Sequence, residues 1–139
     1  MATSPVPGAC LCGAVRFEIE PPTVFCAHCH CSMCRRAHGA GYVTWIGIPY
    51  ERFRLVAVAE RLVRYRSSEH GTRSFCGSCG SSLFCESTLH PDYLDVVLAN
   101  LDGASEAPQA HFYFDDRAPW VRVADDLPRF GGKTGTEPL

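Results

Sequence analysis

The sequence predicts a mainly β protein, built of antiparallel strands around metal-binding cysteines and carrying little helix. Three observations lead there. Short runs of β-branched and aromatic residues recur roughly every 8–12 residues, bounded by proline, glycine and small polar residues. Cysteine is gathered into three knots: Cys10-Leu11-Cys12, the run from Cys26 to Cys34, and Cys76-Gly77-Ser78-Cys79. The length, 139 residues, suits one domain. A chain of that size buries about two-thirds of its unfolded surface, so it does not need metal merely because it is small.

Each strand has its own signal. Ala14 to Glu20 alternates apolar and charged residues, the mark of a half-buried strand, and Pro21-Pro22 stops it. Val24-Phe25-Cys26 is a short strand leading into the cysteine run. Cys34 to His38 predicts a helical turn ended by Gly39. Tyr42 to Ile48 is aromatic and β-branched, hence a strand, closed by Pro49. Phe53–Val58, Leu62–Arg66, Arg73–Phe75 and Leu83–Glu86 follow, with a turn through Ser67–Gly71. Tyr93–Ala99 is a buried strand candidate and His111–Phe114 the last firm one. Residues 1–7 are expected to be a disordered lead, and residues 131–139, with three glycines and a proline, a flexible tail. Helix is expected only as single turns.

Charge and leader sequence narrow the function classes. A net charge of −2 leaves no broad basic face for nucleic acid. The first eight residues lack a basic n-region and an apolar h-region. No run approaches the roughly 20 apolar residues of a spanning helix. The expectation is a cytoplasmic protein with no membrane partner. In a reducing compartment nine cysteines are thiols or metal ligands rather than disulfides, and an odd count also disfavours complete pairing.

The spacing of the cysteines supports metal. Four cysteines and two histidines fall within the nine residues Cys26–Cys34, and thiolate and imidazole at that density suit zinc. In an extended segment residues i and i+2 share a face, so Cys10 and Cys12 can offer both thiolates to one ion. Cys76 and Cys79 bracket Gly-Ser and precede Gly80, a knuckle whose glycines leave backbone room near sulfur. Those two pairs together make a closed, structural Cys₄ site. A second pairing is open on spacing alone: Cys26-x-x-Cys29 joins Cys76 and Cys79, leaving Cys10, Cys12, Cys31 and Cys34. In the first pairing Cys29, Cys31 and Cys34 form a three-thiolate set. Its fourth position is either open, as in catalytic zinc sites, or filled by Cys26, Cys85, His28, His30 or His38.

Three motifs carry a family resemblance: Gly8-Ala9-Cys10-Leu11-Cys12-Gly13-Ala14-Val15, Cys29-His30-Cys31-Ser32-Met33-Cys34-Arg35-Arg36 and Arg73-Ser74-Phe75-Cys76-Gly77-Ser78-Cys79-Gly80. Weaker echoes are Leu101-Asp102-Gly103, Pro108-x-x-His111 and Trp120. From about Gly8 to Phe130 the chain resembles the glutathione-dependent formaldehyde-activating family (GFA, or CENP-V/GFA). The resemblance implies one zinc domain over residues 8–130, with an Mss4-like fold of coiled antiparallel sheets organised around zinc. It implies two zinc ions per chain: a structural one on Cys10, Cys12, Cys76 and Cys79, and a catalytic one on Cys29, Cys31 and Cys34. The activity it implies joins glutathione and formaldehyde, or cleaves the carbon–sulfur bond of the adduct in reverse, so the partner is a glutathione-like small-molecule thiol.

The chemistry is coherent. A thiol entering an open zinc position loses its proton, and the thiolate is the nucleophile. Three thiolates outweigh the charge of the ion, so thiol activation is a better role for it than polarising a carbonyl. His30, His38 and His111 are candidate proton acceptors. Arg35, Arg36 and Arg73 are candidates for pairing substrate carboxylates. Tyr42, Trp45, Phe75, Phe84, Phe112, Tyr113 and Trp120 are expected mainly in the core. Cys26 and Cys85 are left as small buried hydrophobes or as redox partners of the cluster. The alternative function is a non-enzymatic zinc module that binds a protein partner.

Overall fold

The computed structural model describes residues 4–104 and 106–139. The strands arise where side-chain alternation predicts them, with several differences in extent. β1 (Val6–Ala9) begins inside the expected lead, and β2 (Arg16–Ile19) buries Phe17 and Ile19 while Arg16 faces out. β3 (Phe25–Cys29) extends through the first half of the cysteine run. Helix α1 (Ser32–His38) follows, then β4 (Val43–Pro49), β5 (Phe53–Ala57) and β6 (Leu62–Arg66). β7 (Gly71–Cys76), β8 (Ser82–Ser87), β9 (Tyr93–Val97), β10 (Ala110–Phe112), β11 (Phe130–Gly131) and β12 (Glu137–Pro138) complete the order. The protein is mainly β, as the strand pattern predicts, and of the Mss4-like class that the family resemblance implies.

The chain divides into two compact units. One holds the chain up to Phe25 and from Ile46 to residue 104; the other holds Cys26–Trp45 and the chain from Glu106 to Leu139. In the first unit β1, β2 and β5 form an antiparallel sheet, and β6, β7, β8 and β9 form an antiparallel meander. Its core centres on Phe17, whose ring lies 4.9 Å from Phe84 and 5.9 Å from Phe53. Gly8 of β1 passes directly over that ring; a Cβ there would collide with Phe17. This explains a glycine in the middle of a strand, since close backbone approach is one of its few uses there.

In the second unit β3 pairs with β10 in parallel, placing Ala27 opposite Ala110, His28 opposite His111 and Cys29 opposite Phe112. The expectation of antiparallel pairing fails here for a simple reason. The strands are far apart in the chain, so no hairpin sets their direction. The tail also carries order: Phe130–Gly131 and Glu137–Pro138 pair antiparallel. The predicted strand through Phe114 ends early because Tyr113 takes a left-handed φ of 52° and starts a 3₁₀ turn.

Helix α1 is longer than the single turn expected. Its N-cap is Cys31, whose sulfur accepts from the Cys34 N–H, and Gly39 closes it in the left-handed conformation at φ 62°. Cysteine is not among the usual caps, which is why the sequence pattern missed the first turn. Two of the aromatics expected in the core lie outside it: Tyr42 is exposed, and Trp120, 69% exposed, lies over the backbone of Gly41.

Candidate metal centres

In the first unit β1 and β2 are joined by a turn in which Gly13 N–H donates to Cys10 O and Cys10 N–H donates to Val15 O. The turn holds Cys10 and Cys12 with their sulfurs 3.6 Å apart. Cys76 ends β7, and the following knuckle is closed by Gly80 N–H to Cys76 O at 2.8 Å and Cys76 N–H to Ser81 O at 2.9 Å. Gly80 takes φ +80°, open only to glycine without strain. Cys12 and Cys76 sulfurs stand 3.8 Å apart, and the sulfurs of Cys10, Cys12, Cys76 and Cys79 all lie within 4.8 Å of one another. Of the two pairings open on spacing, the structure assembles the first.

Backbone and hydroxyl donors point at this group. Val15 N–H lies 3.3 Å from the Cys10 sulfur and Ser78 N–H 3.4 Å from that of Cys76. Ser81 Oγ lies 3.3 Å from the Cys79 sulfur and also accepts from Leu11 N–H, tying the two knuckles together. The Ser81 hydroxyl and N–H lower the Cys79 thiol to about 5. Burial works against ionisation of Cys10, but the Val15 N–H and the neighbouring thiols bring it down overall. Cys12 goes the other way, to about 11. There the Ala14 N–H favours the thiolate, but the crowding of Cys10, burial and the other thiols overcome it. Four sulfurs packed this closely cannot all ionise without a counter-charge, and a divalent cation supplies one. The donor set fits zinc.

In the second unit Cys29 ends β3, Cys31 caps α1, and Cys34 lies on the first turn of that helix. Cys34 Sγ is 3.4 Å from Cys29 Sγ, and Cys34 N–H is 3.3 Å from Cys31 Sγ. The three sulfurs lie within 4.8 Å of one another, Cys29 and Cys34 buried and Cys31 half-buried. Hydrogen bonding with Cys31 and Cys34, then burial, pushes the Cys29 thiol far upward. For Cys31 the bond to Cys29 favours ionisation, but Cys34 and burial win and its value also rises. This donor set again fits a thiophilic divalent ion. Among the described residues no fourth side chain joins the three thiols in the group.

The other predicted residues sort as follows. His30 is fully buried, and its Nε2 lies 2.8 Å from Nδ1 of His111, itself 1% exposed. His30 Nδ1 is buried with no hydrogen-bond partner among the described residues. Burial, then the neighbouring histidines, lowers His30 to about 4, so it is neutral. His38 sits edge-on against Trp45. Arg35 is occupied within the fold, donating to the carbonyls of His30 and Asp116. Arg36 is exposed in the last turn of α1. Arg73 lies on β7 opposite Cys85 of β8. Cys26 is 1% exposed on β3, and burial, then Glu106, raises it to about 11. It behaves as a buried apolar side chain.

Sequence reasoning missed Asp125. Both its carboxylate oxygens face His111 Nε2, at 3.0 and 3.1 Å, and that bond holds its carboxyl below the usual range. His28 approaches from β3, its ring centroid 4.9 Å from that of His111 and its Nδ1 2.8 Å from Thr44 Oγ1. An aspartate in an irregular segment carries no periodic or motif signal, so only the fold exposes this set.

The three cysteine motifs now have a common reference. The sequence profile of the glutathione-dependent formaldehyde-activating enzymes matches residues 5–116. The chain belongs to this family. A GFA relative from Halomonas elongata, described as a putative glutathione-dependent formaldehyde-activating enzyme, is 29% identical over 84% of this chain and 79% of its own length. An uncharacterized lyase from Schizosaccharomyces pombe is 33% identical over 55% of this chain and 54% of its own. The crystal structure of a Rhodobacter sphaeroides protein matches with TM-score 0.61 and 30% identity, covering 73% of this GFA chain and 97% of that one. Among the described residues no helix is long and apolar enough to cross a membrane.

Proposed function

We propose that this GFA-family protein is a zinc-dependent carbon–sulfur lyase or synthase acting on a thiol–aldehyde adduct like S-hydroxymethylglutathione. One observation carries the reading: Cys29, Cys31 and Cys34 converge as three thiol donors with no fourth side chain in their group among the described residues. Cys10, Cys12, Cys76 and Cys79 form a closed set of four and serve as the structural centre. Two zinc ions per chain follow. Zinc on the three-thiol set would favour the thiolate form of a substrate thiol.

The chain's own residues supply the rest. Cys29 and Cys34, fixed on the end of β3 and the first turn of α1, hold the donor positions rigid. Arg35, bound to the His30 and Asp116 carbonyls, locks the helix in place. Arg36, exposed on α1, is placed to pair a carboxylate of a glutathione-like substrate. His30 Nε2 and His111 Nδ1 share one proton across 2.8 Å, which keeps both imidazoles in fixed orientation. A reducing, cytoplasmic setting suits so many unoxidised thiols.

The test is the rate of S-hydroxymethylglutathione formation from glutathione and formaldehyde, measured above the uncatalysed reaction. The informative variant is Cys31→Ser, because serine keeps the helix cap but is a poor zinc ligand. Its rate should fall by at least roughly 100-fold, beyond what changes outside the ligand set cost. A Cys31→Ser variant with wild-type rate, or a wild-type protein no faster than the uncatalysed reaction, rejects the proposal.

A further inference from the structure

We propose that His28, His111 and Asp125 form a third metal site, for a first-row divalent cation held by nitrogen and oxygen, separate from both cysteine centres. Parallel pairing of β3 with β10 puts His28 and His111 at the same level of adjacent strands. The segment after the 3₁₀ turn brings Asp125 to them, and one donor atom from each of the three lies within 4.8 Å of the others.

The second nitrogen of each imidazole is what marks the set. Histidines that bind metal almost always tie their other ring nitrogen to a partner, which orients the ring and leaves one lone pair for the ion. Here His28 Nδ1 is tied to Thr44 Oγ1 at 2.8 Å, and His111 Nδ1 to His30 Nε2 at 2.8 Å. Each histidine is thus left with Nε2. The His111 Nε2 faces both oxygens of Asp125. In the absence of a cation that contact needs a proton between nitrogen and carboxylate; a bound cation takes the place of the proton.

The donor set names the class of ion. Two imidazoles and one carboxylate, with further coordination positions left open, suit Fe²⁺, Co²⁺, Mn²⁺ or Zn²⁺. A soft ion that demands thiolate finds none in this set. Access is provided by Asp125, whose side chain is 41% exposed while His111 behind it is 1% exposed. A buried His111, a half-buried His28 and an exposed carboxylate together make the arrangement of a site with an entry path.

Cobalt distinguishes this site from the cysteine centres, because only thiolate-bound Co²⁺ gives an intense sulfur-to-metal band in the near ultraviolet. The full chain is equilibrated with Co²⁺ by dialysis, and total bound cobalt is compared with cobalt accounted for by that band. The wild type should bind one equivalent per chain more than the band reports. Asp125→Asn should weaken that equivalent at least tenfold while leaving the sulfur band unchanged. His28→Gln should do the same. The proposal is overturned if the band accounts for all bound cobalt, or if both variants bind as much as the wild type.

Discussion

Replacing Cys12 and Cys79 together by serine removes one donor from each arm of the four-cysteine group and leaves the buried Cys10 and Cys76 untouched. Cys12 is exposed and Cys79 only half-buried. As ordinary surface changes the two substitutions would cost roughly 1 kcal/mol at most in sum. As parts of a metal clamp they should cost far more. Cys12 and Cys76 are 64 residues apart in the chain. Closing a loop of that length removes unfolded-chain entropy worth about 4 kcal/mol at 25 °C. That is a large share of the roughly 5–15 kcal/mol by which domains are stable. Urea unfolding in the presence of zinc should therefore show Cys12→Ser/Cys79→Ser destabilised by about 4 kcal/mol. At this chain length Tm should fall by roughly 10–20 °C. In excess chelator the wild type should drop to the level of the variant. A loss below about 1 kcal/mol, or a gap between the two proteins that survives chelation, refutes the clamp.

The cap of α1 separates two roles of one sulfur: in excess chelator, where no metal is held, Cys31→Ala should cost about 1 kcal/mol in urea unfolding, whereas Cys31→Ser should stay near the chelated wild type, since serine caps well. In chelated protein Cys79 should label with iodoacetamide down to a pH of about 5, because its thiolate persists above that value, while Cys12, pushed up to about 11, stays largely unlabelled at neutral pH. Peptide mass spectrometry reads both, and Ser81→Ala should move the Cys79 midpoint upward towards the ordinary thiol value. Phe17→Ala removes a fully buried ring packed on Phe53 and Phe84 and should cost about 3–5 kcal/mol in the same unfolding assay.

Much was legible without coordinates because it is local. The alternation at Arg16–Ile19, the β-branched run into Pro49 and the glycine-rich knuckle after Cys76 each declare their own conformation within a few residues. The Cys-x-Cys and Cys-x-x-Cys spacings declare donor geometry in the same way, since backbone form alone sets whether two sulfurs share a face. So the mainly β class, the metal-ligand candidates and the family were all readable from the chain. Even the miss at α1 was local, a cysteine taking the place of a usual cap.

What needed three dimensions was everything that depends on return of the chain. Spacing left two ways to sort eight cysteines, and only the approach of Cys12 to Cys76 chose between them. The parallel register of β3 with β10 aligned His28 with His111, and an irregular segment then delivered Asp125. Neither event has a sequence period, because strand direction and side-chain approach across tens of residues are set by packing. The same packing buried His30 and His111 against each other, turned Arg35 inward to backbone carbonyls, and left Trp120 outside the core. Local residue chemistry dictates which ligands a chain can offer; tertiary packing dictates which of them meet.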